Sequence, residues 1–169
     1  MALAACANYG VSGPVMTFPP EIPFYFTSDA AVDAMLRGAG VGPADIVYDL
    51  GCGDGRIVTT AASRFGARGV GVDIDPVRIG EARYYADKAG VAARTRFDVA
   101  DIFATDVSDA TVVALYLSVD FNIRLRPKLW KELRPGSRVV SNKFDMGRQF
   151  PPERALRVGN DQVFFWTVA

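Results

Sequence analysis

From Thr27 onward, short apolar runs alternate with longer segments in which apolar residues recur every three or four positions. Short runs rich in β-branched residues are typical of buried strands, and the longer periodicity is typical of amphipathic helices. The pattern predicts five successive strands, at residues 46–50, 69–74, 94–99, 111–117 and 137–144.

The helices predicted between these strands have recognisable ends. Thr27, Ser28 and Asp29 offer N-cap side chains for a helix that runs through residue 37 and stops at the glycines beyond it. Asp75 and Pro76 fit the N-cap and the first position of a helix that ends near residue 90. Two more helices are predicted: one over residues 57–65, stopped by Gly66, and one in which Leu125, Leu129 and Leu133 recur behind Pro127, closed by Pro135-Gly136.

The last part of the chain has a different pattern. Residues 154–158 and 162–168 are β runs separated by Gly159-Asn160-Asp161, which predicts a hairpin. The alternating strands and helices before it require a parallel sheet with right-handed crossovers. We therefore predict an α/β, Rossmann-like, doubly wound sheet of seven mostly parallel strands with a C-terminal antiparallel hairpin. Residues 21–169 would form this domain, behind an extended or disordered arm at 1–20.

The composition is that of one globular domain, since half of the 169 residues are hydrophobic and 22% are charged. The 19 basic and 19 acidic side chains cancel, which disfavours binding of nucleic acid through bulk charge. No apolar run reaches the length of a transmembrane helix. The oligomeric state does not follow from these properties.

The chain contains no histidine. This excludes Ser-His-Asp and Cys-His nucleophile systems and zinc sites that need an imidazole, and we expect no metal. The two cysteines are Cys6 and Cys52, and Cys52 lies in a glycine-rich segment, so both are interpreted as free thiols.

The first residues of the chain are relevant to the cellular location of the protein. Leu3-Ala4-Ala5-Cys6 has the small-residue pattern that precedes a lipid-modified cysteine, but the charged and apolar regions of a signal peptide are missing before it. We expect a cytoplasmic protein. The alternative is an exported or lipid-anchored protein whose start has been trimmed.

A glycine-rich loop follows the first predicted strand. The sequence from Asp49 to Arg56 carries the pattern G-x-G-x-G at the start of a helix, where a ligand can approach the backbone N–H groups. Loops that bind dinucleotides are spaced G-x-G-x-x-G, and Arg56 stands here at the position of the third glycine. The spacing therefore disfavours NAD.

Charge narrows the class of ligand further. Asp49 and Asp54 flank the loop, and their carboxylates would repel a pyrophosphate. S-adenosylmethionine (SAM) brings an ammonium and a sulfonium, and carboxylates attract both. We predict that the loop binds SAM, with S-adenosylhomocysteine as the product, through Asp49, Gly51, Cys52, Gly53 and Gly55.

Two further carboxylates come directly after predicted strands. Asp73 follows the second strand, where an acidic side chain can accept hydrogen bonds from both ribose hydroxyls. Asp101 follows the third strand and is placed to accept from the adenine amino group, with Ile74 and Ile102 as apolar plates on the ring. A helix N-cap is the alternative role for each aspartate.

With these residues the chain resembles a class I methyltransferase. Within that fold it is similar to the archaeal broad-specificity protein-lysine methyltransferases and their mitochondrial relatives, which methylate the ATP synthase c-subunit and the adenine nucleotide translocase. The matching stretches are 22–24 with Thr27, 47–58, 69–73, 115–117, 125–129 and 132–136. The resemblance implies methyl transfer from SAM to a lysine of a protein partner, with Thr27 among the cofactor-binding residues.

Methyl transfer would occur where the parallel strands end, because reacting groups gather there in a doubly wound sheet. Tyr116 falls at the end of the fourth strand, and Phe24 and Tyr25, with Phe26, are interpreted as an aromatic lid over the same opening. Aromatic faces attract methylated ammonium groups. Asn122 is a candidate for orienting the acceptor amine, which makes Tyr116 and Asn122 the predicted catalytic residues. Packing in the core or at its rim is the alternative role for the aromatic residues.

Two other functions stay open at this point. A methyltransferase of a small molecule or of RNA would share the cofactor residues, although the segment 115–118 lacks the Asn/Asp-Pro-Pro-Tyr/Phe motif of N6-adenine enzymes. A non-catalytic SAM-binding module is the second alternative.

Overall fold

The computed structural model describes residues 26–169, so the predicted arm, Cys6, Phe24 and Tyr25 lie outside the described residues. The strands are β1 (Ile46–Leu50), β2 (Arg68–Asp73), β3 (Thr95–Val99), β4 (Val112–Leu115), β5 (Arg138–Asn142), β6 (Arg154–Val158) and β7 (Asp161–Thr167). The helices are α1 (Asp29–Gly38), α2 (Arg56–Phe65), α3 (Pro76–Lys88) and α4 (Val119–Glu132), with a 3₁₀ turn at Ala92–Arg94. No helix within residues 26–169 is long and apolar enough to cross a membrane.

The seven strands form one sheet in the order β3-β2-β1-β4-β5-β7-β6. β1 to β5 are parallel, and β7 runs antiparallel to both of its neighbours, β5 and β6. The predicted parallel strands and terminal hairpin are therefore confirmed. Because the strand order changes direction between β1 and β4, a crevice forms at the carboxyl ends of these two strands.

Each face of the sheet has its own apolar core. The α1 face, covered by α1 and α2, includes Leu36, Val140 and Val163. The α4 face, covered by α4, includes Leu125 and Val139. Alternate residues of β5 therefore face opposite sides of the sheet, as the pleat requires.

Two of the predicted helix starts are confirmed. Ser28 is the N-cap of α1, and its Oγ accepts a hydrogen bond from Ala31 N–H at 3.2 Å. Asp75 caps α3 ahead of Pro76. α2 ends at Gly66, whose φ of 72° lies in the left-handed region that favours glycine.

α4 begins earlier than the leucine spacing indicates. Ser118 caps the helix, so Pro127 lies inside it. Proline has no N–H to donate to the carbonyl of Ile123 one turn back, but the packing of Leu125 and Leu129 on the α4 face stabilises the helix on both sides of it. The early start brings Asn122 over the end of β5.

Candidate active site

The glycine-rich loop joins β1 to α2 at the carboxyl end of the sheet. Gly51, Gly53 and Gly55 have φ angles of 84°, 52° and 74°, all in the left-handed region. A Cβ on Gly55 would lie 2.6 Å from the Phe97 ring and 2.7 Å from the Ala82 Cβ. The loop therefore needs glycine for both conformation and close packing. The N-cap of α2 is Gly55, which has no side chain, and Asp54 Oδ1 accepts from Arg56 N–H at 3.3 Å. The other N–H groups of the first turn are where a ligand can approach.

Asp73, at the end of β2, is hydrogen-bonded to this loop. Its Oδ2 accepts a hydrogen bond from Gly53 N–H at 2.9 Å, and its Oδ1 accepts from Asp75 N–H at 3.0 Å. Each carboxylate oxygen has a further lone pair. The side chain is thus held in one orientation with acceptor capacity left, and its bonds to ribose hydroxyls stay a prediction.

Asp49 is a buried carboxyl group at the end of β1. Burial, and after it the charges of Asp73 and Asp54, raise the pKa of Asp49 to about 8. None of these causes favours the charged form, so a negative charge at Asp49 is not compensated by the described part of the chain. A cationic ligand beside the carboxylate would compensate it.

Asp54 differs from Asp49 because it has an ion-pair partner. The Nη2 of Arg56 lies 2.7 Å from Asp54 Oδ2, and its Nε lies 3.1 Å from Oδ1. Hydrogen bonding to Asp54 raises the pKa of Arg56. The carboxyl groups here that have no ion-pair partner among the described residues are therefore those of Asp49 and Asp73, whereas the sequence had indicated Asp49 and Asp54.

Arg56 also holds the segment that leads into α1. Its Nη1 donates to the Thr27 carbonyl at 2.9 Å, and its guanidinium lies 4.5 Å from the centre of the exposed Phe26 ring. Thr27 itself is buried. The structure thus brings Thr27 to the loop through its backbone, while its contact with the cofactor stays a prediction.

Cys52 is a free, buried thiol, as predicted. Burial raises the pKa of the Cys52 thiol far above its usual range, which disfavours the thiolate that a nucleophile requires. Its backbone N–H and that of Gly51 donate to the Val72 carbonyl at 2.9 and 2.8 Å. Cys52 therefore helps to fix the loop on β2, and its predicted contact with the cofactor is not tested by these bonds.

The residues predicted to contact adenine follow β2 and β3. Ile74 is exposed, whereas Ile102 is half-buried against the core of the α4 face. Asp101 is exposed, and its Oδ1 accepts from Phe103 N–H at 2.8 Å. This bond orients the carboxylate and leaves acceptor capacity on it, and the adenine contacts stay predictions.

Tyr116 directly follows β4 and is half-buried. Its ring stacks on that of Phe144, with ring centres 6.1 Å apart and an interplanar angle of 25°. Lys143 Nζ lies 5.5 Å from the centre of the Tyr116 ring and 3.3 Å from Asp161 Oδ1. The Tyr116 hydroxyl and then the Asp161 carboxylate raise the pKa of Lys143. The ring face at the end of β4 therefore already has an ammonium group beside it.

Asn122 and Tyr116 both contact Phe144, Asn122 through the Phe144 carbonyl and Tyr116 through the Phe144 ring. Asn122 is fully buried, and its Nδ2 has three acceptors: Ser141 Oγ at 3.2 Å, the Phe144 carbonyl at 3.0 Å and the Asp145 carbonyl at 3.1 Å. These bonds fix the turn after β5. The predicted contact of Asn122 with an acceptor amine stays a prediction, and it would have to use Oδ1, which has no donor among the described residues.

The sequence analysis missed the turn after β5, which carries Asn142, Lys143 and Phe144. Lys143 has a φ of 63°, which is uncommon for a residue with a side chain. Asn142 is fully buried, and neither atom of its amide has a hydrogen-bond partner among residues 26–169. The sequence did contain a signal for this turn, because two polar residues, Asn142 and Lys143, end an apolar strand. They lie at the carboxyl end of the parallel strands, where ligands bind in this class of fold.

Solved structures with this fold contain the product of SAM. A Salinibacter ruber RNA methyltransferase in complex with S-adenosylhomocysteine is 49% identical and superposes with a TM-score of 0.83, over 85% of this chain and 94% of that one. The uncompensated carboxylate of Asp49 and the glycine loop fit the same cationic cofactor. Fold and site together define a SAM-dependent methyltransferase.

Similar proteins identify the family of methyltransferases to which the chain belongs. The model of a family described as the ANTKMT methyltransferase domain matches residues 49–153. A protein-lysine N-methyltransferase of Saccharolobus islandicus is 44% identical over 85% of this chain and 89% of its own length. The adenine nucleotide translocase lysine N-methyltransferase of Mus musculus is 33% identical over 88% of this chain and 64% of its own length. The chain belongs to the ANTKMT methyltransferase domain family.

Proposed function

We propose that the protein transfers a methyl group from SAM to the side-chain amine of a lysine in a protein substrate. The observation that carries the proposal is the Lys143 ammonium 5.5 Å from the centre of the Tyr116 ring, because it marks this aromatic face as a place for an ammonium group. The pairing of Leu50 with Leu115 puts Tyr116 next to the glycine loop. The names of the archaeal and mouse relatives support the same acceptor.

The contribution of the chain is positioning and exclusion of water. When bound, SAM supplies a methyl group made electrophilic by its sulfonium. Asp49 and Asp73 would hold the cofactor, and Tyr116 and Phe144 would form an apolar wall for the acceptor. A lysine with a pKa of about 10.4 is neutral roughly once in 2,500 molecules at pH 7. Desolvation by the aromatic wall increases this fraction, and the proton is released to solvent before the nitrogen reacts.

The pH dependence of the rate tests the acceptor. With nuclease-treated lysate protein and saturating tritiated SAM, the logarithm of the initial rate is expected to rise by nearly one per pH unit from pH 7 until the pKa of the bound amine is reached. Lysate protein with acetylated lysines is the control and should accept no label. A flat profile, or equal labelling of the acetylated protein, would contradict the lysine assignment.

Two substitutions test the aromatic wall. Tyr116→Phe keeps the ring face and is expected to retain most of the activity, whereas Tyr116→Ala removes the face and is expected to lose at least tenfold. Calorimetric SAM binding by both variants controls for damage to the cofactor site. An active Tyr116→Ala variant would refute the proposed pocket.

RNA is the second candidate acceptor, because the Salinibacter ruber relative is described as an RNA methyltransferase. Arg68, Arg94 and Arg96 line a cleft of about 720 Å³ at the amino ends of β2 and β3, which is the opposite end of the sheet from Tyr116. This separation and the balance of charge favour protein. If a lysate is labelled without prior nuclease treatment and nuclease then removes the label, the acceptor is RNA and the preference for protein is reversed.

A further inference from the structure

Asn142 ends β5 beside Tyr116. The pairing of Leu115 with Ser141 makes Tyr116 and Asn142 the next neighbours on the two strands. Asn142 itself pairs with Val163, a member of the core on the α1 face, and paired residues of antiparallel strands share a face. Ser141 contacts Asn122 of α4 on the opposite face. Tyr116 and Asn142 therefore lie side by side on the α1 face, at the carboxyl end of the sheet.

The amide of Asn142 is exceptional among the polar groups in this region. Asn142 is fully buried, and both Nδ2 and Oδ1 lack a partner among residues 26–169. The nearby Asn122 amide lacks a partner at Oδ1 only, because its Nδ2 has three acceptors. A buried amide without partners destabilises a fold relative to an apolar residue of the same size, and each such group needs an explanation, such as a catalytic role.

Two charged side chains near Asn142, Lys143 and Asp161, are paired with each other. Lys143 Nζ lies 3.3 Å from Asp161 Oδ1, and Ser28 Oγ donates to Asp161 Oδ2 at 3.1 Å. The Asn142 amide is thus a neutral hydrogen-bonding group beside Tyr116 that has no partner among residues 26–169. This matters because a carboxylate next to an amine favours its protonated, unreactive form, whereas an amide oxygen can accept from the neutral amine without that penalty.

We propose that Asn142 binds the acceptor amine, with its Oδ1 accepting a hydrogen bond from the lysine N–H beside Tyr116. This inference rests on the proposed lysine substrate. A primary or monomethylated amine has an N–H to donate while its lone pair faces the cofactor. A dimethylated amine has none, so Asn142 acts in the first two methylations only.

Asn142→Leu is the deciding variant, because Leu has nearly the same volume and no polar atoms. Its melting temperature is expected to equal or exceed that of the wild type, and its SAM affinity is expected to be unchanged. Its kcat for unmodified lysine in nuclease-treated lysate protein should fall at least tenfold. Asn142→Asp keeps the shape and an acceptor oxygen but adds a carboxylate, so it should not recover the rate at pH 7, because the negative charge favours the protonated amine. Should Asn142→Leu fail to fold, Asn142→Ala provides the same measurement.

The outcomes separate this inference from the proposed function. Protein labelled equally fast by the wild type and Asn142→Leu would overturn the inference alone, whereas label in RNA and not in protein would overturn both. The methylation state adds a readout that a purely structural role would not change. On lysate protein with reductively dimethylated lysines, the wild type and Asn142→Leu should methylate at equal rates. If Asn142→Leu loses as much rate on this substrate as on unmodified lysine, the inference is contradicted.

Discussion

A single buried carboxyl group, Asp49, couples the cofactor site to pH. Burial and the neighbouring charges of Asp73 and Asp54 disfavour its ionised form and thereby raise its pKa to about 8. A bound cation would reverse the balance by favouring the carboxylate. We therefore expect the free protein to keep a proton at Asp49 near neutral pH and to lose it when SAM binds.

Binding of SAM at pH 7 is accordingly expected to release close to one proton. Titration calorimetry in buffers with different ionisation enthalpies measures the number released. Asp49→Asn cannot titrate and should bind more weakly without this release. Identical proton release by both proteins would show that another group is responsible.

The same group predicts how the stability of the free protein depends on pH. The pKa of Asp49 is raised in the folded state, from 3.8 to about 8, so its contribution to the free energy of unfolding is fully present below about pH 4. That contribution is lost as the pH rises through about 8. Urea denaturation of Asp49→Asn should therefore show a smaller decline between pH 4 and 8 than the wild type shows. An unchanged decline would mean that Asp49 ionises normally.

At the scale of elements, Arg56 joins three parts of the chain. It begins α2, forms a two-oxygen ion pair with Asp54 in the loop, and bonds the Thr27 carbonyl ahead of α1. The planar guanidinium suits this arrangement because it offers several N–H groups in fixed directions. The glycine loop and the segment leading into α1 are thus fixed to each other by one side chain.

Arg56→Ala should lower the free energy of unfolding by about 2 kcal/mol, because it leaves Asp54 buried without its charged partner. The matched control is Arg64→Ala in the same helix, which breaks an ion pair of a half-exposed arginine with Asp33 and should cost less than about 0.5 kcal/mol. Chemical denaturation measures both. Adding Asp54→Asn to Arg56→Ala should restore part of the loss, and equal costs for the two arginine variants would contradict the role given to Arg56.

The elements were largely predictable from local pattern, and the site only in part. Apolar runs and the glycines and prolines between them set the strands, and Asp49 and Asp73 could be found because they end or follow strands. The pairing of Asp54 with Arg56 depends on side-chain rotamers, which no periodicity encodes. The isolation of the Asn142 amide depends on how β5 packs between β4 and β7, which are distant in sequence. The start of α4 was missed because proline is common in the first turn of a helix, whereas Pro127 lies inside α4.

At the scale of the whole molecule, β7 connects the two cores. Val163 and Phe165 belong to the core of the α1 face, whereas Phe164 and Trp166 belong to that of the α4 face. β7 also forms the ladder with β5. The hairpin is therefore a part of the domain and not an attachment to it.

Deleting residues 150–169 should consequently give insoluble protein, because it exposes both cores and the edge of β5. Deleting Ala169 alone is the control and should change nothing, since the ladder ends at Thr167 and Val168 completes the contacts with Gly136 and Ser137. The soluble fraction and the thermal melt report the outcome. A soluble truncation that melts cooperatively would show that β1 to β5 suffice.

The place of β7 also sets an order of events during synthesis. It follows every other strand in the chain, yet in the sheet it lies between β5 and β6. On the ribosome, β1 to β3, with the glycine loop and Asp73, emerge and can pair before β7 has been made. The partners that β7 gives to the acceptor side, Val163 for Asn142 and Asp161 for Lys143, come last. We therefore expect a nascent chain to complete the predicted cofactor side of the sheet before the proposed acceptor side, and to become active only after the final strand has been translated.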